Sequence, residues 1–413
     1  MRPGYKQTDV GVIPVDWDSG VLGRFWSVTD CKHVTAAFVP NGYPVASIRE
    51  VQSRFVELKN AKRTTAHFYD LLIEGGRKPR PGDLILSRNA TVGEVAQVTE
   101  AHPPFAMGQD VCLLRKKSSD YSTEFLQAVF ESPVILTQLA NLMVGSTFKR
   151  ANVEQIRNFS VPMPSPIEQR AIAAALSDVD ALLTGLDRLI AKKRDLKEAA
   201  MQQLLTGQTR LPGFQGEWEV KRLGDVGTFL KGSGVKKDES RSGELPCIRY
   251  GEIYTHHTDC IRTFNSWISR DVARTATRMK PGDLLFAGSG ETKAEIGKCV
   301  AFVHDCEAYA GGDIVILRSV GVDPVFMGYY CNMSPINAQK ASNGQGDAVV
   351  HISAAALGRI SMRLPAPAEQ TAIATILTDM DAELTALEAR LAKTRALKQA
   401  MMQELLTGRT RLV

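Results

Sequence analysis

The chain repeats itself once. Residues 164–211 read PSPIEQRAIAAALSDVDALLTGLDRLIAKKRDLKEAAMQQLLTGQTRL, and residues 365–412 read PAPAEQTAIATILTDMDAELTALEARLAKTRALKQAMMQELLTGRTRL. They align without a gap at an offset of 201, with about 29 identities in 48 positions. The offset continues outside the block: Trp17, Leu22 and Gly23 answer Trp218, Leu223 and Gly224. Pro81-Gly82-Asp83 answers Pro281-Gly282-Asp283, and Gly108-Gln109-Asp110 answers Gly311-Gly312-Asp313. Between these landmarks the halves diverge. Any fold must therefore be built twice from one plan, a variable segment followed by a shared one.

The shared segments read as long helices. Ile172, Leu176, Val179, Leu183, Leu186 and Ile190 step by 4, 3, 4, 3, 4, and Ile373, Leu377, Met380, Leu384, Leu387 and Leu391 repeat the pattern. That is a heptad seam. In the last third the frame slips. Lys193 and Lys197, or Thr394 and Lys398, come onto the seam, while Leu196 and Leu397 fall one residue off it. Ser165-Pro166-Ile167-Glu168 predicts an N-cap, proline at N1 and a capping-box glutamate; the second copy has Ala366 at the cap and should fray more. Gly207 and Gly408 suit the left-handed residue that ends a helix. A helix over 166–205 would be about 60 Å long and could not bury its stripe alone. Its natural partner is its own repeat, antiparallel, which makes a pseudo-twofold dumbbell. The competing arrangement docks each helix on its own globular domain.

The variable segments read as compact α+β units. Pro44–Ile48, Asp83–Leu86, Val92–Val98 and Val111–Leu114 are β-like in the first. Pro246–Tyr250, Asp283–Phe286, Gly297–Val303 and Ile314–Leu317 answer them in the second. One helix is expected over Tyr121–Asn141 and another over Pro324–Ser342. The predicted domains are 1–163 and 212–364, with helical segments at 164–211 and 365–413.

At 413 residues, 44% hydrophobic and 23% charged, the composition is ordinary for a globular chain of two to four domains. No apolar run of about 18 residues exists, so no membrane span is expected, and the N-terminus reads as no signal peptide. Seven cysteines at scattered spacings argue against a disulfide framework or structural zinc and fit a cytoplasmic protein. The net charge of +5 divides into +3 over residues 1–163 and +2 over 206–364, with 164–205 and 365–413 neutral. That surplus permits nucleic-acid binding.

Catalytic motifs are missing. His102-Pro103-Pro104-Phe105 and Asp323-Pro324-Val325-Phe326 fall short of an adenine methyltransferase loop, and no glycine run completes a dinucleotide or Walker motif. Asp283 with Glu291-Thr292-Lys293 resembles the acid and Glu-x-Lys set of Mg-dependent nucleases, but the first half has no counterpart. His256-His257 reads as a surface pair without further ligands, so no metal site is expected.

What remains is recognition chemistry. In the first half Arg49, Arg54, Lys59, Lys62, Arg63 and Arg88 are candidate DNA contacts. In the second they are Lys231, Lys236, Lys237, Arg249, Tyr250, His256 and Lys293. Such sets neutralise phosphates and read base edges.

The layout resembles the specificity subunit of type I restriction-modification systems. The resemblance is carried by Gly4-Tyr5-Lys6 through Ile13-Pro14 and Trp17, by Leu/Met-Pro-x-Pro-x-Glu-Gln at both helix starts, and by Leu-Leu-Thr-Gly-x-Thr-Arg-Leu at both helix ends. Pro212-Gly213-Phe214, Glu217-Trp218 and Ile248-Arg249-Tyr250-Gly251-Glu252-Ile253 add to it. The first half lacks a clear equivalent of the last, with Ala46-Ser47-Ile48-Arg49-Glu50 in its place. The resemblance implies two target-recognition domains, each reading half of a bipartite double-stranded DNA site, joined by an antiparallel coiled coil. It implies adenine methyltransferase (modification) subunits that hold S-adenosylmethionine, and a motor-nuclease (restriction) subunit using ATP and Mg. This chain itself would hold no cofactor and catalyse nothing. The alternatives are a Mg-dependent nuclease and a coiled-coil scaffold.

Overall fold

The computed structural model describes residues 3–143, 150–346 and 349–413. It divides into two compact units. One comprises Met1–Asp187 with Ala389–Val413, the other Arg188–Glu388. Both cuts fall inside long helices, Pro166–Leu204 and Pro367–Leu405. Each unit thus holds one helix's beginning and the other's end.

The first unit is built on a four-stranded antiparallel sheet, ordered Trp26–Asp30, Val111–Lys116, Leu84–Ser87, Val95–Gln97. Both faces are covered, and the two-residue period of a strand divides its side chains between two cores. Leu84, Leu86, Cys112 and Leu114 face the helices, while Ile85, Val111 and Leu113 pack with Val51, Val56 and Phe105. The second unit repeats this in Gly227–Lys231, Ile314–Ser319, Asp283–Ala287 and Cys299–Ala301. There Leu284, Phe286 and Leu317 face the helices and Leu285, Ala287, Ile314 and Ile316 the other core.

The repeated Pro-Gly-Asp sets the entry to the central strand. Gly82 and Gly282 have φ of +86° and +92°, a region that disfavours any side chain. Asp83 accepts the Arg80 N–H at 2.7 Å and receives Arg115 through two nitrogens at 2.9 and 2.7 Å. Asp283 accepts the Lys280 N–H at 2.8 Å and receives Arg318 twice at 3.0 Å. Both aspartates are buried.

A second four-stranded sheet differs between the units. In the first its order is Ala106–Met107, Tyr43–Ala46, Arg63–Thr64, Phe38–Val39. In the second it is Ser266–Ile268, Leu245–Ile248, Tyr309–Ala310, Thr277–Arg278. Both units pair Tyr43–Ala46 or Leu245–Ile248 in parallel with Ala106–Met107 or Tyr309–Ala310, and antiparallel with Arg63–Thr64 or Ser266–Ile268. The fourth strand differs: Phe38–Val39 joins the Arg63–Thr64 edge in the first unit, and Thr277–Arg278 joins the Tyr309–Ala310 edge in the second.

Several expectations need correction. The helix expected over Tyr121–Asn141 is two, Thr123–Phe130 and Pro133–Met143. That over Pro324–Ser342 is Pro324–Tyr330 and Ser334–Asn343. Pro133 and Pro335 cannot donate to the preceding turn, so each helix breaks and restarts. The expected strands are present with shifted ends: Pro44–Ile48 and Pro246–Tyr250 stop at Ala46 and Ile248, where short helical turns begin.

The two long helices pack antiparallel within each unit. In the second, Lys193 meets Glu383 at 2.7 Å, Arg194 meets Glu388 at 2.5 Å and Lys197 meets Asp381 at 2.5 Å. In the first, Arg395 meets Asp187 at 3.3 Å and Lys398 meets Asp180 at 2.7 Å. From Lys193 to Lys197 the partner falls from Glu383 to Asp381, and from Arg395 to Lys398 it falls from Asp187 to Asp180, the signature of antiparallel chains. Ile172, Leu176, Leu186, Ile190, Ile373, Leu377, Leu384 and Leu391 are buried, and Leu183 and Leu387 half-buried. Leu196 and Leu397 are exposed, as the slipped frame requires.

The helix ends are clasped crosswise. Glu168, expected to close a capping box, instead gives its carboxylate to the Trp17 indole N–H at 2.9 Å and to Arg411 at 2.5 and 2.9 Å. Ser165 still caps, its Oγ accepting the Glu168 N–H at 3.3 Å. In the second copy Glu369 receives Arg210 at 2.6 and 2.7 Å. The start there does not depend on Ala366, because Gln370 ties itself to Pro365 O and to the Asp323 N–H. Gly207 and Gly408 end the helices at φ of +71° and +67°.

Candidate nucleic-acid interface

The candidate interface is built on one corner that both units share. Ile248 and Ala46 end equivalent strands: the Gly311 N–H reaches Ile248 O at 2.9 Å and the Gly108 N–H reaches Ala46 O at 2.7 Å. The next residue, Arg249 or Ser47, precedes a helical turn whose third residue is Glu252 or Glu50. Glu252 accepts the Arg249 N–H at 3.1 Å, and Glu50 accepts the Ser47 N–H at 2.8 Å. Both carboxylates are buried. Arg249 therefore corresponds to Ser47, and Arg49 to Gly251. The corner is constant while the side chains it carries are exchanged.

The candidate residues of the first unit separate into two groups. Arg49 and Lys59 are exposed. Lys62 lies over the Phe38 ring at 4.9 Å, and Arg63 donates to Gly42 O at 3.0 Å, both on the Phe38–Thr64 side of the second sheet. Arg54 and Arg88 are turned to structural use. Arg54 donates to Ser177 Oγ at 2.9 Å and lies 3.7 Å from Asp180 on the long helix. Arg88 is 3% exposed and paired with Asp30 at 2.5 Å, so it is withdrawn from any surface. Asp30, Cys31 and His33 could otherwise hold a cation. The Arg88 guanidinium, also 3.8 Å from Cys31 Sγ, already places positive charge among them.

In the second unit Arg249 and His256 line one open cleft of about 480 Å³ with Arg241, Glu252, Asn265 and Ser266. Tyr250 and Trp267 beside it are 39% and 40% exposed. Lys236 and Lys237 are exposed on the approach to Ser240, which lines the same cleft. Lys231 lines another cleft of about 480 Å³, with Asp313, His351 and Arg359. Lys293 is exposed on the loop after Gly290 and shares neither.

The paired histidines are not alike. His256 is exposed, whereas His257 is buried and its Nε2 finds no partner among the described residues. Burial, then His256 and Lys298, push its pKa down to about 4, so it is neutral at ordinary pH. The nuclease-like trio is not assembled as a metal site: Arg318 occupies both Asp283 oxygens, and Glu291 and Lys293 are exposed. Arg262, another basic residue of the second segment, faces Asp381 on the helix at 2.8 Å.

Sequence reasoning left Asn265 and Trp267 unremarked. Their signal was the alternation through Ser266–Ile268, where Ser266 and Ile268 are buried and Trp267 points out.

Comparison with known proteins places this geometry. The family model for the type I restriction modification DNA specificity domain matches residues 40–193 and again 215–394. The putative type I restriction enzyme MjaX specificity subunit of Methanocaldococcus jannaschii is 24% identical, over 99% of this chain and 97% of that one. Among solved structures, the HsdS subunit from Thermoanaerobacter tengcongensis superposes with a TM-score of 0.53 at 19% identity, covering 96% of this chain and 98% of that one. The S subunit of the type I system of M. genitalium gives 0.57 at 16% identity, over 94% and 96%. A chain from work on complex assembly and conformational transition of a type I system gives 0.60 at 20%, over 96% and 99%.

Proposed function

The chain belongs to the type I restriction-modification DNA specificity family, and from that premise we propose that its two halves each read one half of a bipartite duplex site. As a DNA sequence-specificity subunit it supplies recognition, and the chemistry belongs to its partners. Residues 1–163 and 212–364 are the readers in this proposal, and 164–211 and 365–413 the helical connectors that hold them and set their spacing. Adenine methyltransferase subunits carrying S-adenosylmethionine dock on the helices, and a motor-nuclease subunit using ATP and Mg joins them. Flipping by the partner requires the target adenine within or beside each half-site.

One observation carries the reading. The buried corner is duplicated, while the side chains it carries at equivalent positions, Ser47 and Arg249, or Arg49 and Gly251, are exchanged. Two copies of one frame bearing different surface chemistry suit two half-sites of different sequence. Of the candidate contacts, Arg49, Lys59, Lys62, Arg63, Lys231, Lys236, Lys237, Arg249, Tyr250, His256 and Lys293 keep a place in it.

The test is to map methylated adenines in cells expressing this chain with a methyltransferase partner. The expected result is one motif of two short sequences separated by a fixed gap. Purified chain that cuts DNA with Mg, or a complex with no salt-dependent affinity for duplex, contradicts the reading.

A further inference from the structure

We infer that the cleft beneath Arg241, Arg249 and Asn265 is the base-reading site of the second half, taking purine edges in the major groove with guanine against the arginines. The inference rests on the duplex-reading function proposed above and names where that reading is done.

The cleft's floor is settled within the chain. Glu252 is 8% exposed and holds two internal donors, the Arg249 N–H at 3.1 Å and the Ser266 hydroxyl. It fixes the corner's shape and is not free to receive a ligand. The walls are different. The Arg241 and Arg249 guanidiniums and the Asn265 amide have no side-chain hydrogen-bond partner among the described residues, and Arg249 and Asn265 are half-buried. A guanidinium carries five donors, and half-burial removes some of the water that would serve them. Such a cleft asks for acceptors from outside.

The chemistry narrows the ligand. Arginine meets guanine O6 and N7 with two parallel N–H bonds, and asparagine meets adenine N6 and N7 the same way. Tyr250 and Trp267 border the cleft with exposed rings, suited to contact with a base face or a thymine methyl. The other arrangement of two arginines is a phosphate seat, which would carry no sequence information. The Asn265 amide favours bases, since a phosphate would use only its donor half. The first half supports the same division, because there a serine replaces Arg249 on an unchanged frame.

The experiment uses the chain assembled with its methyltransferase partner. Arg241→Ala, Arg249→Ala, Arg249→Lys and Asn265→Ala are compared for methylated motif and for affinity across salt. Loss of a base contact should weaken cognate duplex about 5- to 100-fold, relax one or two positions in one half of the motif, and leave the salt slope unchanged. Arg249→Lys should not restore specificity, because a lysine lacks the paired fork. Wild-type complex is also tested on duplexes in which single guanines become 7-deazaguanine, a measurement that needs no variant to fold. One half-site guanine should then cost a similar factor, and should cost nothing further with Arg249→Ala or Arg241→Ala. Uniform weakening on all sequences with a slope lowered by about one per residue would assign the cleft to phosphates and overturn the inference. An unchanged motif and affinity in all variants would also overturn it. A wild-type complex that shows no sequence preference at all would instead sink the function on which the inference rests.

Discussion

Lys197 and Asp381 form a 2.5 Å ion pair, and Lys398 and Asp180 form its counterpart at 2.7 Å, each residue displaced by 201 from its equivalent. Each aspartate also takes an arginine from the globular part of its own unit, Arg262 at 2.8 Å on Asp381 and Arg54 at 3.7 Å on Asp180. The lysines that interrupt the apolar seam are therefore a junction, where two helices and a globular domain meet. Burial opposes the charge on Lys398, and Asp180 and Glu131 outweigh it, so its pKa is raised.

The two junctions should differ in strength. Asp381 additionally accepts the Tyr329 hydroxyl at 2.5 Å, where the first half has Ala128. Asp381→Ala leaves Lys197, Arg262 and Tyr329 without their acceptor and should destabilise by about 3–5 kcal/mol. Asp180→Ala should cost less, about 1–3 kcal/mol. Urea unfolding of the two variants measures both, and equal losses would mean that Tyr329 and Arg262 add nothing.

The crosswise clasps should be intolerant of substitution. Arg411 is raised in pKa by Asp16 and Glu168, and Arg210 by Glu369. Arg411→Ala strands a fully buried glutamate and should cost about 3–5 kcal/mol. Lysine should rescue poorly, since it cannot make two parallel bonds. The companion change Glu168→Gln with Arg411→Ala should recover part of the loss. No recovery in thermal melts would show that the charge is not what is stranded.

Acid should weaken the second unit through His257. Its folded pKa, about 4, lies below the ordinary 6.5, so the unfolded chain binds the proton more readily. The stability this neutral ring contributes is full above pH 6.5 and is lost as pH falls from 6.5 to 4, at no more than about 1.4 kcal/mol per unit. His257→Gln should flatten that part of the stability–pH curve. An identical curve would show that the imidazole does not titrate there.

Much of this was legible in the sequence and some was not, for definite physical reasons. The seam from Ile172 to Ile190, Gly207 and the Pro-Gly-Asp turn follow from period, handedness and glycine's freedom, which are local. The roles of Arg54, Arg88 and Arg262 are not local. Arg88 meets Asp30 across 58 positions and Arg262 meets Asp381 across 119, and until those acids are in place each reads as one more surface cation. Glu168 shows the same limit, because the cap motif offers it a near partner and the fold offers better ones in Trp17 and Arg411. At the candidate interface, Arg249 could be picked out by its motif, but Asn265 and Trp267 join it only once the strand Ser266–Ile268 pairs with Leu245–Ile248.

The helices should also set the gap between half-sites, as proposed above. Insertion of one heptad after Leu189, with a second after the equivalent Arg390, keeps the seam in frame. Seven residues add about 10 Å of helix, the rise of about three base pairs. The methylated motif should keep both half sequences and gain about three base pairs between them. A gap unchanged in an active variant would assign the spacing to something other than the helices.

The most direct test of the account is an exchange of residues 223–360, the segment enclosed by the Glu219–Arg222 and Ser361–Leu364 strand pair, for that of a relative with a different target. Methylated adenines are then mapped across a genome. The expected motif retains one half and the gap, with the other half replaced by the relative's. A motif altered in both halves, or one that keeps both, would contradict it.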